Sequence, residues 1–256
     1  MARPGFVRDM ARDLARARHT GVQAHSVGLR RISCLEDAHS VQSQANLAYG
    51  RVPRGWTMAG TSRTTARLLR LDIPVFGALF DEDMLPDGSR YRLPHGMLGI
   101  GCGLAFVFGR SFPIDHADQD IGSAIVQAYV CLQLLGRRAA SAEPLNDWTA
   151  TADFGLDALH VRGAVREDWS GLDLAQAAFS LALDGRQIGC GRGADIISDP
   201  VAAAAWLARQ RTSRGGAIEA GDVVAVGSCT GLAQVVPGQT VTGLCSMLGT
   251  VTLKLE

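Results

Sequence analysis

Hydrophobic residues recur at helical spacing in the first part of this chain and in short runs broken by turn residues further along. Met10, Leu14 and Ala15 lie at helical spacing between Asp and Arg residues, which predicts a helix from Val7 to Arg18. A second helical stretch is predicted from Cys34 to Asn46. We therefore expect a helical N-terminal region.

The pattern changes in the second quarter of the chain. Gly55 begins a segment predicted to be irregular, and from Pro74 the apolar runs are short and broken by turn residues. Gly101 to Phe108 is typical of a buried strand. Ile121 to Tyr129 places its apolar residues on one face of a helix, so a helix is predicted there, with a strand following through Leu135.

Turn and cap chemistry is clearest in the second half. Asp184-Gly185 lies between two apolar runs and predicts a tight hairpin, because this type of pair supplies the positive φ angles of such turns. Asp199-Pro200 predicts a helix start, since Asp caps free amides and Pro loses no hydrogen bond at the first helical position. That helix is expected to run to about Arg211. Four short strands should follow, at Asp222 to Val226, Gly231 to Val236, Thr240 to Cys245 and Thr250 to Leu255.

These elements predict an α+β fold without a separate second body. The sequence contains no internal repeat, no low-complexity stretch and no Pro- or Ser-rich linker. We predict an N-terminal helical region over residues 1–70 packed on a β-rich body over residues 71–256.

Composition narrows the range of partners. The chain has 256 residues and is 47% hydrophobic, which is enough to bury a real core. Its 25 Lys plus Arg balance 25 Asp plus Glu, so no net field attracts nucleic acid or anionic lipid. No segment reaches the roughly 18 apolar residues of a membrane span, and none at the N-terminus has the length of a signal peptide. We expect a cytoplasmic protein that acts on a small molecule.

The common motifs of metal, redox and nucleotide sites are missing. The six cysteines are far apart without a Cys-x-x-Cys pair, which argues against a zinc knuckle, a redox dithiol or a disulfide framework. The two Gly-x-Gly-x-Gly runs, at 99–103 and 189–193, lack the strand before and the helix after that a phosphate-binding loop needs. No Gly-x-Ser-x-Gly, His-Glu-x-x-His or Walker sequence is present.

The order and spacing of several short segments point to one family. From about Gly55 to the C-terminus, the chain resembles the 2-oxopent-4-enoate (vinylpyruvate) hydratases and 4-oxalocrotonate decarboxylases of the fumarylacetoacetate hydrolase superfamily. That resemblance implies a mixed β-roll with outer helices and a homo-oligomer. The segments that carry it are Pro74 to Phe80, Leu104 to Val107, Gly191 to Gly193, Asp199-Pro200, Ala205 to Ala208 and Gly221 to Val224.

The same resemblance implies a changed site. Members of the family hold Mg²⁺ or Mn²⁺ with a Glu-x-Glu pair and a third Glu, and the corresponding residues here are Gly101, Gly103 and Gln133. A hard divalent cation needs oxygen ligands, which glycine side chains cannot supply. Thr57 stands where the family has a Lys. We therefore expect no metal and no other cofactor, and a roomier, more apolar pocket with these glycines and Gln133 as its floor.

Three residues are candidates for acid-base or hydrogen-bonding chemistry. His95 precedes the lost ligand positions, and histidine is the natural acid-base residue near neutral pH, although this one is equally typical of a surface turn. Asp153 would be a general base if desolvated, and otherwise a turn former. Gln133 would donate a hydrogen bond to a substrate carbonyl. The residues predicted to bind substrate are Thr57, Ser62, Arg63, Phe80, Gly101, Gly103 and Ser228.

Three functions remain open from the sequence. The first is a metal-independent enzyme that isomerises, cyclises or eliminates within an unsaturated oxo or enol compound, in specialised metabolism. The second is a non-catalytic partner or binding subunit of an active homologue. The third is a magnesium-dependent 2-hydroxydienoate hydratase whose ligands have moved.

Overall fold

The computed structural model describes residues 4–112, 120–140, 142–197 and 199–256. Within these ranges the α-helices are α1 Pro4–Thr20, α2 Leu35–Tyr49, α3 Arg63–Leu69, α4 Asp147–Ala152 and α5 Pro200–Thr212. The strands of the first half are β1 Pro53–Ala59, β2 Val75–Phe80, β3 Met84–Pro86, β4 Ser89–Tyr91, β5 Met97–Phe108 and β6 Ile125–Gly136. Those of the second half are β7 Asp157–Arg162, β8 Ala178–Leu183, β9 Arg186–Arg192, β10 Val223–Val226, β11 Thr240–Cys245 and β12 Gly249–Leu255.

The strands of the described ranges form two mixed sheets. The larger has the order β2-β1-β10-β5-β6-β7-β3, and the smaller has the order β4-β12-β11-β8-β9. The β1–β10, β3–β7 and β4–β12 pairs are parallel, and the other pairs are antiparallel. Although β2 and β7 are not neighbours in the larger sheet, they approach each other, so that sheet curls. The predicted α+β class with a curled mixed sheet is therefore confirmed.

Elements with strong local signals form where the sequence predicts them. The helix predicted from Val7 lies within α1, and Cys34 is the residue that precedes α2. Asp184 and Gly185 join β8 to β9 with φ angles of 49° and 80°. The Asp199 carboxylate accepts a hydrogen bond from the Ala202 amide at 2.8 Å and caps α5. Local side-chain chemistry decides these elements.

Three predictions of element type are wrong. The helix predicted over Ile121 to Tyr129 is a 3-10 turn ending at Ala124, followed by β6, which is buried on both faces and so has no alternating pattern. The strand predicted from Gly231 to Val236 makes only an isolated bridge, from Ala233 to Ile100. The segment predicted to be irregular from Gly55 belongs to β1.

The helical N-terminal part is tied closely to the sheets. The Gln42 amide on α2 donates to the carbonyls of Phe76 at 2.7 Å and Thr151 at 2.8 Å, which joins α2 to β2 and to α4. The strand β1 lies within the first 70 residues yet pairs with β2 and β10. The larger sheet therefore begins before residue 71, the predicted start of the β-rich body. In the described part of the chain, no helix is both long and apolar enough to cross a membrane.

Candidate functional site

Four of the residues predicted to form the site lie together inside the curled sheet. The β5–β6 register places Gly101 opposite Gln133, and Gly103 two residues further along β5 is on the same face. The Gln133 side-chain amide donates a hydrogen bond to the Thr57 hydroxyl at 2.7 Å. Thr57 and Gln133 are only 1% and 2% exposed. The pair is thus a buried polar contact in the interior.

The room left by the two glycines is occupied, so the prediction of a roomier pocket is wrong at this position. A Cβ atom built on Gly101 would lie 2.5 Å from the carbonyl oxygen of Gly231, and one on Gly103 would lie 2.5 Å from that of Val226. The Ser228 hydroxyl donates to the Gly231 carbonyl at 2.6 Å and is itself buried. The segment after β10 therefore packs directly against the two glycines, as expected in a close-packed interior.

The side chains at this position do not fit a magnesium or manganese ion. The amide of Gln133 and the hydroxyls of Thr57 and Ser228 are the polar groups here, and each is engaged in an internal hydrogen bond. Over the described ranges, no three His, Cys, Asp or Glu residues come together in a metal-binding group. A divalent cation usually requires at least one carboxylate, which these residues lack.

A buried histidine that the sequence did not single out lies beside Gln133. His160 pairs with Gln133 in the β6–β7 register, and its Nε2 atom is 2.9 Å from the Tyr129 hydroxyl oxygen. Its Nδ1 atom has no hydrogen-bond partner among the described residues. Burial, together with the charge of Arg162, lowers the pKa of His160 to about 3. The ring is therefore neutral. The alternation of residues along a strand does not by itself identify a buried histidine of this kind.

The segment that follows β10 and packs on the glycines also forms one wall of a cleft, whose volume is about 560 Å³. The Thr61 hydroxyl donates to the Gly227 carbonyl at 2.5 Å and joins the loop after β1 to this wall. The charged side chains in the cleft are those of Arg63 and Asp195, and both residues are exposed. The lining is formed by Thr61, Ser62, Arg63, Thr64, Cys190, Ala194, Asp195, Ile197, Cys229, Thr230 and Gly231.

Local hydrogen bonds hold the polar groups of this cleft in place. The Ser62 hydroxyl accepts from the Thr65 amide at 3.3 Å and lies 2.9 Å from the Thr65 hydroxyl oxygen, so it caps α3. Arg63 then begins that helix with its side chain in solvent. One Asp195 carboxylate oxygen accepts from the Arg192 amide at 2.8 Å. Ser62 is thus engaged internally, whereas Arg63 is open to the cleft.

The remaining predicted residues lie elsewhere, around a group of buried arginines. The Asp153 carboxylate accepts from the Arg138 Nε at 2.7 Å and from its backbone amide at 2.8 Å. The Arg138 guanidinium thus holds this carboxylate in a buried ion pair, and the role of Asp153 as a general base stays a prediction. Phe80 is fully buried, with the Arg18 guanidinium 4.9 Å from its ring centroid, so it lines no substrate cleft.

His95 is also separated from the Thr57–Gln133 pair. It is an exposed turn residue that precedes β5, and it borders a small cavity with Arg18 and Arg138. Five residues separate it from Gly101: Gly96, which continues the turn, and the first four residues of β5. His95 is therefore exposed, outside the buried group of Gly101, Gln133 and Thr57, and its acid-base role stays a prediction.

Comparison with known sequences gives the family. Residues 48–255 match the family described as fumarylacetoacetate (FAA) hydrolase C-terminal. A 2-keto-4-pentenoate hydratase of Paraburkholderia xenovorans is 27% identical over an alignment of 234 positions, which covers 87% of this chain and 84% of that protein. The TodF product hydratase of Pseudomonas putida is 28% identical over an alignment of 257 positions including gaps, which covers 98% of this chain and 96% of that protein.

Solved structures agree on the fold. The 4-oxalocrotonate decarboxylase from Pseudomonas putida G7, complexed with magnesium and adipate, superposes with a TM-score of 0.87 at 22% identity. The match covers 100% of this chain and 99% of the decarboxylase chain. With the family match spanning most of its length, this chain belongs to the fumarylacetoacetate (FAA) hydrolase C-terminal family.

Proposed function

We propose that this chain is a metal-independent enzyme that rearranges an unsaturated oxo acid in the cleft between Arg63 and Asp195. The proposal rests on the difference between two neighbouring parts of the structure, the position assigned to the metal ligands and the cleft. The position assigned to the metal ligands is filled by Ser228 and the Thr57–Gln133 pair. The cleft beside it has open volume, hydroxyl groups and one exposed cation.

The cleft supplies groups for binding and for proton transfer. The Arg63 guanidinium binds a carboxylate through paired N–H donors, and its charge stabilises the enolate that forms when a neighbouring carbon loses a proton. The Asp195 carboxylate takes that proton and returns it to another carbon of the conjugated system. Thr64 and Thr230 donate hydrogen bonds to the oxo group. An isomerisation of this kind needs no other reactant.

The charges also favour one class of substrate. The decarboxylase that shares the fold is complexed with adipate, a dicarboxylate, together with magnesium. Arg63 is the one cation among the described residues that line this cleft; it balances one carboxylate, and Asp195 repels a second. We therefore propose a monocarboxylic oxo acid as the substrate.

Kinetics with variant proteins test this proposal. A panel of unsaturated oxo acids is followed by ultraviolet absorbance and NMR, with and without EDTA. Arg63→Gln should raise KM about tenfold or more, since it removes a charge-assisted hydrogen bond. Asp195→Asn should lower kcat about 100-fold or more. Arg186→Gln, exposed on β9 and outside the cleft lining, is the matched control and should behave as wild type.

Two outcomes would contradict the proposal, and each favours an alternative. If no member of the panel binds or reacts, the chain is a non-catalytic subunit, which is consistent with the internal hydrogen bonds of Thr61 and Ser62. Co-purification with an active homologue would then be expected instead of the predicted homo-oligomer. If EDTA abolishes turnover and Mg²⁺ restores it, the chain is instead the magnesium-dependent hydratase of the third alternative.

A further inference from the structure

Three segments that are distant in sequence form the walls of the cleft between Arg63 and Asp195. The first is the loop after β1, which leads into α3 and so carries Arg63. The second is the segment after β10, at residues 227–231. The third is the turn after β9, at residues 193–197, which carries Asp195. Their relative positions therefore depend on the contacts between them.

Thr61, in the first segment, is hydrogen-bonded to both of the others. Its hydroxyl donates to the Gly227 carbonyl at 2.5 Å. Its own backbone carbonyl accepts from the Ile197 amide at 3.1 Å. The residue is 4% exposed, so water competes little for either bond. One buried threonine thus joins the three walls of the cleft.

The hydrogen bond between Thr61 and Ile197 is close in sequence to both charged groups. Arg63 lies two residues after Thr61, and Asp195 lies two residues before Ile197. The Cα atoms of residues two apart are at most about 7 Å from each other. The backbones of the cation and of the carboxylate are therefore both tied to this one contact, which sets their separation.

The Asp195 segment is also held from its other side. The backbone amides of Gly193 and Ala194 donate to carbonyls in the loop before β8, at 3.0 Å and 2.8 Å. Neither bond involves the loop after β1 or α3. These bonds fix where Asp195 lies on the smaller sheet, but they do not fix its distance from Arg63. That distance depends on Thr61.

We infer that Thr61 is a positioning residue for the isomerisation, an inference that rests on the proposed function. A substrate bound through its carboxylate at Arg63 must present its acidic carbon to the Asp195 carboxylate. Proton transfer depends steeply on this geometry, and a displacement of about 1 Å costs up to about 100-fold in rate. Since the Thr61 hydroxyl is engaged with Gly227, the residue acts through the two segments that it joins.

The kinetics of Thr61 variants of the full chain test the inference. Thr61→Val should lower kcat about tenfold or more, because proton transfer needs both walls in place. KM should stay within about twofold, because Arg63 alone binds the carboxylate. Thr61→Ser keeps the hydroxyl and should restore kcat. Thr149→Val is the matched control: Thr149 is equally buried, and its hydroxyl donates to the Pro144 carbonyl at 2.9 Å, outside the cleft lining.

A double variant separates positioning from a general loss of structure. In Asp195→Asn the group that takes the proton is absent, so its placement no longer matters. Adding Thr61→Val to Asp195→Asn should therefore change the remaining kcat by less than about twofold. A purely structural role would lower kcat by the same factor in both backgrounds. If Thr61→Val does not fold, Thr61→Ala removes the same hydroxyl without placing a methyl group against the Gly227 carbonyl.

The failure of this inference can be told apart from the failure of the proposed function. Wild-type turnover that the loss of the Thr61 hydroxyl leaves unchanged, or lowers equally with and without the Asp195 carboxylate, overturns the inference alone. A wild type that converts none of the oxo acids refutes the proposed function and the inference together. Loss of kcat in Thr149→Val as large as in Thr61→Val would also overturn the inference.

Discussion

The hydrogen bond between Gln133 and Thr57 provides a sharp test of the interior described above. Gln133→Leu removes the amide and leaves the Thr57 hydroxyl buried without its partner. Thr57→Val removes the hydroxyl and leaves the Gln133 amide without its acceptor, with little change in the shape of the side chain. The double variant removes both polar groups at once. If the pair is structural, the two changes must therefore be strongly coupled.

The size of the effect follows from burial. A buried polar group left without its partner costs about 1–3 kcal/mol, so each single variant should lose that much stability. The double variant should be less destabilised than the sum of the singles by about 1–2 kcal/mol. For a chain of this length, about 2–4 °C in Tm corresponds to 1 kcal/mol. Each single variant should therefore unfold about 2–12 °C lower.

Urea unfolding followed by circular dichroism, combined in a double-mutant cycle, measures the coupling. Gln127→Leu is the control, since Gln127 lies on the same strand but its hydrogen bond, to Glu167 at 3.3 Å, is exposed. It should change stability by less than about 0.5 kcal/mol. Single variants as stable as the wild type, with ligand binding lost, would show instead that Gln133 and Thr57 face a substrate.

Three further predictions concern buried groups. Gly101→Ala should destabilise by about 1–3 kcal/mol in urea unfolding, because its Cβ meets the Gly231 carbonyl, whereas Gly171→Ala, with no described atom within 4 Å, should be neutral. Burial holds the pKa of His160 at about 3 in the folded protein, against 6.5 in the unfolded chain. The contribution of the neutral ring to the free energy of unfolding is therefore present above pH 6.5. It is lost as the pH falls towards 3, by about 4–5 kcal/mol in all. Stability measured against pH should fall less steeply on the acid side in His160→Gln, and an unchanged slope would contradict the assignment. Asp153→Asn should cost about 3–5 kcal/mol in thermal unfolding while leaving KM unchanged, and a selective loss of kcat would revive Asp153 as a base.

Features set by adjacent residues could be predicted from the sequence. Asp199 and Pro200 start a helix, and Asp184 and Gly185 turn a hairpin, because the cap or turn needs only its own side chains. The helix predicted over Ile121 to Tyr129 was wrong, since β6 is buried on both faces and its apolar run resembles a helix face. Periodicity cannot separate these two cases in a buried strand.

The candidate site could be predicted only in part. The resemblance placed Gly101 and Gln133 at one location, and the strand register does bring them opposite each other. What fills the space above Gly101 is Ser228, more than 120 residues away in sequence, so its position depends on the whole fold. His160 was missed for the same reason, because a histidine in an apolar strand has no local signal of its partner Tyr129.

Metal content and turnover, measured on one preparation of the protein, test whether the enzyme is independent of metal. The protein is analysed for bound divalent metal, and its turnover of the oxo acid identified by the kinetic panel is compared with and without EDTA. We expect substoichiometric metal and an unchanged rate. One equivalent of magnesium or manganese, with activity lost on chelation and restored by the ion, would contradict it.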